Sequence, residues 1–110
     1  MARIFIAWEM GDGIGHLARF SPIVHGLVDR GHELFFALAD PTYLELFAFK
    51  NDVTVLPAPS AKGQWSQEVE IICNSSILLQ RGYGDVNQLT TLTRCWHGLY
   101  RLVKPDMYLF

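Results

Sequence analysis

The stretch that decides the fold is Ile4-Phe5-Ile6-Ala7-Trp8-Glu9-Met10-Gly11-Asp12-Gly13-Ile14-Gly15-His16-Leu17. It opens as a continuous apolar run, which suits a central parallel strand covered on both faces. Three glycines on alternate residues follow, and then a segment of helical spacing that closes on Arg30-Gly31-His32. Glycine lets a loop take positive φ and lets a ligand approach the backbone closely. Free N–H groups at a helix start point at whatever sits before them, and the dipole favours negative charge there. A histidine directly after such a loop can reach the same cleft. Strand, glycine loop, histidine and helix together make a candidate site.

Working outward, residues 3–8 are the first strand. Leu17, Phe20, Val24, Leu27 and Val28 share one face of the following helix. Pro22 is favoured at a first helical position with Ser21 as N-cap, so the regular helix is predicted to begin near Ser21. His16 to Phe20 are then a loop or a kinked first turn. Gly31 suits the position just past the helix end. Glu33 to Ala39 read as a second strand, Asp40-Pro41 as the cap of a short helix to about Lys50, and Asp52 to Leu56 as a third strand.

After a loop from Pro57 to Gln64, Trp65, Val69, Ile72, Ser76 and Leu79 alternate four and three apart. They predict a helix to about Arg81, broken by Gly82-Tyr83-Gly84. Asp85 with Gln88 resembles a capping box. Val86, Leu89, Leu92, Trp96, Leu99 and Val103 mark a long amphipathic helix. The stripes on both late helices are read as core. Lys104-Pro105 stops the second of them and feeds a fourth strand. The alternation implies an α/β, Rossmann-like parallel sheet with right-handed crossovers and helices on both faces. Ligands of such sheets bind at the carboxyl ends of the strands, where the glycine loop lies.

Gly13-Ile14-Gly15-His16, Pro22, Leu27 and Arg30-Gly31-His32-Glu33, followed by a second apolar strand, resemble the start of a GT-B fold glycosyltransferase. The likeness is closest to bacterial nucleotide-sugar-dependent members. It is sequence-deep over residues 3–40 and architectural beyond. In that family the N-terminal domain holds the acceptor, and a second Rossmann-like domain holds the nucleotide sugar. The resemblance therefore implies that residues 1–110 are a partial acceptor-binding domain with the donor-binding domain absent. The chain stops at Tyr108-Leu109-Phe110, within the fourth strand, which carries the same expectation of a fragment.

Composition narrows the classes. The 110 residues are one domain at most, half of them hydrophobic, with a formal net charge of −2. No basic surface points to nucleic acid. No apolar run is long enough to cross a bilayer, so membrane association is not indicated, and there is no signal-peptide pattern. Cys73 and Cys95 fall in predicted helices without metal-ligand spacing and are expected as buried, reduced thiols of a cytoplasmic protein.

Glycosyl transfer to a hydroxyl requires that the acceptor lose a proton, the anomeric carbon be held in line and the diphosphate leaving group be stabilised. A histidine suits the first task. His16 matches the family position that supplies a general base in many inverting relatives. Read from the residues alone, it equally well bonds only loop backbone. The family's partner acid normally lies past the fourth strand, and neither Asp85 nor Asp106 is given that role. Gly13 and Gly15 either cradle acceptor phosphates or simply permit a tight turn. Glu9 and Asp12 would repel a phosphate and favour a neutral hydroxylated acceptor, and Glu9 departs from the family's small or hydroxylated residue. Trp8 either floors an acceptor or belongs to the core. Trp65 lies where the acceptor pocket varies most. His25, His32 and His97 are read as structural.

No cofactor is implied. The resemblance implies a nucleotide sugar as co-substrate, reached through the missing domain, and a small-molecule or lipid-linked acceptor as partner. Three other readings compete. One is a dinucleotide-binding module, with Asp40 ending the second strand but His16 where the third fingerprint glycine belongs. The others are a nucleotide-sugar epimerase of the same fold and a non-catalytic binding domain.

Overall fold

The computed structural model describes residues 1–8, 15–40, 53–61 and 69–109. Its elements are β1 (Arg3–Trp8), α1 (Gly15–Asp29), β2 (Glu33–Leu38), β3 (Val53–Pro57), α2 (Asn74–Gln80), α3 (Val86–Val103) and β4 (Met107–Leu109). The four strands form one sheet in the order β3-β2-β1-β4, and every pairing is parallel. This is the α/β architecture expected, with β1 inside the sheet.

The two-residue period of β1 and β2 explains why their sequences are apolar throughout. Ile4 and Ile6 share one face with Leu34, Phe36 and Leu38, and Val24 of α1 packs there. Phe5, Ala7 and Ala37 share the other face with Val103 of α3. Phe20 of α1 meets Phe36 edge-on at 5.9 Å. Phe5 meets Tyr100 at 5.4 Å and Trp96 at 6.3 Å in the same manner.

The helix ends follow from local chemistry. Gly31 has φ of 81° beyond the end of α1. Its N–H donates to the Val28 carbonyl and that of His32 to the Leu27 carbonyl, which is the Schellman arrangement. Asp85 caps α3, with Oδ1 accepting from the N–H groups of Asn87 at 2.9 Å and Gln88 at 3.2 Å. Replacing Asp85 by Ala leaves those donors to water and is expected to cost about 1 kcal/mol. Urea denaturation of the variant checks this, with Asp85→Asn expected to lie close to the parent.

The described structure departs from the sequence reading in four places. First, α1 begins at Gly15 and not near Ser21, with Pro22 inside it. The carbonyl that Pro22 cannot serve belongs to Ala18, and Ala18, Pro22 and Ile23 all lie on the exposed side. Water can satisfy that carbonyl, so the helix runs through the proline while Val24 and Leu27 hold it to the sheet. Second, of the helix predicted from Trp65, only Asn74–Gln80 is helical among the described residues. Residues 69–73 are not helical, and Cys73 is extended at φ −161° and ψ 176°. β-Branched Ile71 and Ile72 are weak helix formers, and Ile72 is 80% exposed. The buried residue of α2 is Ser76, the one polar member of the predicted stripe.

Third, both cysteines are free and exposed, with Cys73 at the N-cap of α2 and not within a helix. Fourth, the stripe of α3 is core only over its C-terminal half, since Val86 is 75% and Leu89 43% exposed. An 18-residue helix is about 27 Å long, whereas a six-residue strand spans about 20 Å. The helix therefore outruns the sheet it covers. The short helix predicted over 41–50 and Trp65 lie outside the described residues.

Candidate functional site

The strand order locates the site. The chain moves from β1 outward through β2 to β3, then crosses back to place β4 on the other side of β1. The direction of travel thus reverses at β1, and the carboxyl ends of β1 and β4 flank the crevice where open parallel sheets bind ligands. Trp8 ends β1, Leu109 ends β4, and Gly15 starts α1. The glycine segment joins the first and third of these points. Gly13, with Glu9, Gly11 and Asp12, lies outside the described residues. Gly15 and His16 form the first turn of α1, and their backbone is placed at this edge. The side chain of His16 is outside the described residues. No acidic residue occupies the first turn of α1.

Trp8 is half-buried and packs against the Ile4, Ile6 and Val24 cluster. Its position at the strand end is the expected one, and its packing is that of a core residue at the rim of the crevice. Asp40 lies exposed two residues past β2, at the same edge of the sheet.

The opposite edge is held by Arg3. Its Nε pairs with Glu33 Oε2 at 3.0 Å, its Nη1 donates to the Val103 carbonyl at 2.8 Å, and its backbone N–H donates to Asp106 Oδ2 at 2.8 Å. The guanidinium also lies 5.8 Å from the centre of the Phe35 ring. Asp106 thus ties β4 to the start of β1, a strand's length from His16, and Asp85 is committed to its cap. Both are structural carboxylates. His32 Nδ1 accepts from the Ala2 N–H at 3.1 Å, the structural role its sequence context suggested. Among the described residues no group of three His, Cys, Asp or Glu side chains converges on a metal position.

Away from the crevice, the Cys73 Sγ lies 3.3 Å from the Ser76 hydroxyl. Hydrogen bonding to Ser76 holds the thiol below its ordinary value. Alkylation follows the thiolate, so the pH midpoint of Cys73 carbamidomethylation is expected below that of a free thiol. Ser76→Ala should move it upward, as mass spectrometry of the labelled peptide would read.

No family model, curated protein sequence or solved structure matches the chain. The α/β architecture is shown by the structure itself. No described helix is long and apolar enough to cross a membrane.

Proposed function

We propose that the chain is the acceptor-binding part of a GT-B glycosyltransferase that moves a hexosyl group from a nucleotide sugar to a hydroxyl with inversion. One observation carries the reading. The Gly-x-Gly-His segment bridges β1 and α1 at the edge where the order β3-β2-β1-β4 reverses direction. In this reading His16 takes the proton of the acceptor hydroxyl, while Gly13, Gly15 and Trp8 line the acceptor. The nucleotide sugar binds a second domain across the crevice.

The test compares the intact protein with residues 1–110 alone, following nucleoside diphosphate release from a panel of nucleotide sugars. Acceptor-dependent release is expected from the intact protein and none from the isolated chain. Transfer by the isolated chain would overturn the division of labour.

A second reading is favoured by the exposed position of Asp40 at the end of β2, where a dinucleotide-binding module holds its ribose. It predicts saturable enhancement of NADH fluorescence, and the transferase reading predicts none. His16 at the third glycine position weighs against it, because close packing of helix on strand there calls for glycine.

A further inference from the structure

α2, the turn that follows it and residues 89–96 of α3 line an open groove of about 540 Å³. We propose that it is a binding site for a neutral, largely aliphatic molecule that carries a hydroxyl group. The site is independent of the transferase reading, since none of its lining residues comes from β1, the glycine segment or α1.

Size, lining and position argue for it. The volume falls within the range of roughly 300–1,000 Å³ usual for small-molecule sites. Leu78, Leu79, Leu89, Leu92 and Trp96 supply the apolar walls. Leu78, Leu79 and Leu89 are exposed in the unliganded chain, so a ligand that covers them removes apolar surface from water. Among the described residues, none that lines the groove carries a charge. An ionised ligand would lose hydration against these apolar side chains, which favours a neutral molecule.

The polar positions on the wall are the hydroxyls of Ser75, Tyr83 and Thr93. Thr93 Oγ1 already donates its proton to the Leu89 carbonyl at 2.9 Å. It therefore meets a ligand as an acceptor, and the complementary group is a donor such as an alcohol.

The groove also has a fixed place in the fold. The end of α3 is tied to the start of β1 through Arg3 and Val103, and Trp96 sits over Phe5. The segment from Trp96 back to Leu89 thus runs from above the sheet toward its carboxyl edge. The long helix creates the exposed apolar stripe, and Leu78 and Leu79 of α2 form the facing wall of the groove.

The test is a titration of the 110-residue chain with N-phenyl-1-naphthylamine, a neutral apolar fluorophore. A saturable rise in fluorescence is expected. 1-Decanol should displace the probe, and decanoate at pH 8 should do so at least about tenfold less well, because its carboxylate must shed water against an apolar lining. Leu89→Arg places a charge on a side chain already exposed, so the fold is kept, and it should weaken probe binding about tenfold or more. Thr93→Val removes the acceptor at nearly constant volume and should weaken decanol about three- to tenfold while leaving the probe unaffected.

Absence of saturable binding to the parent chain would overturn the proposal, as would equal competition by decanoate. So would unchanged binding by Leu89→Arg with native circular dichroism. Sedimentation showing a dimer that excludes the probe would assign the groove to a second copy instead and overturn it equally.

Discussion

Replacing Phe5 by Ala is expected to destabilise the chain by about 3–5 kcal/mol, the usual cost of truncating a buried aromatic. Phe5 is 0% exposed and is the residue on which α3 and β4 converge. Trp96 and Tyr100 approach its ring edge-on from α3, and Tyr108 approaches at 6.3 Å from β4. Ala7, Ala37 and Ala58 surround the same face and are too small to collapse into the space. The loss is a large share of the roughly 5–15 kcal/mol that holds a domain of this size. Urea denaturation followed by far-ultraviolet circular dichroism measures it. Near-ultraviolet dichroism should fall as well, because Trp96, Tyr100 and Tyr108 lose the ring that orders them. Phe5→Leu, which keeps most of the volume, should cost about 1–2 kcal/mol. A loss under about 1 kcal/mol for Phe5→Ala would mean that α3 is docked by other contacts.

The contrast between β1 and α2 explains what the sequence could convey. Ile4 to Trp8 and Glu33 to Leu38 are legible because strands buried on both faces are apolar at every position, and length then separates them from helices. Asp85 and Gly31 are legible because each serves a backbone need that its residue type meets. Apolar spacing alone misplaces α2. It counts Ile72 as a core position, although the β-branched pair Ile71-Ile72 and extended Cys73 stop the helix short and leave Ile72 in water. Pro22 misleads for a related reason. Its cost depends on whether the Ala18 carbonyl can reach water, which only the packing of α1 decides.

The site divides in the same way. The glycine segment and His16 were visible as a motif between strand and helix. The reversal of strand order at β1 was not, because the alternation of elements gives the direction of each strand and not its neighbour. β4 lies beside β1 on account of where α3 returns the chain, with Arg3 bonded to both Val103 and Asp106. The groove between α2 and α3 left no signal beyond the length of the α3 stripe.

The second large effect belongs to His16. Under the proposed transferase reading, His16→Ala is expected to lower turnover about a hundred- to ten-thousand-fold, the range a general base contributes. The backbone of His16 lies in the first turn of α1 at the crevice edge, so a local change of fold has to be separated from a loss of chemistry. His16→Gln makes that separation. Glutamine is the better helix former of the two and keeps hydrogen-bonding groups, so α1 should form as before and the melting temperature should stay near that of the parent. It cannot take up a proton at neutral pH, so turnover should fall nearly as far as in the alanine variant.

Binding of the nucleotide sugar is expected to be unchanged in both variants, because the proposed donor site belongs to the other domain. The pH profile supplies a readout that a merely structural role would not move. A base must be neutral to act, so the parent rate should fall as pH drops through the range where imidazole protonates, and the variants should lose that limb. If His16→Gln keeps near-normal turnover and the limb persists, His16 is a loop-bonding residue and the base lies elsewhere.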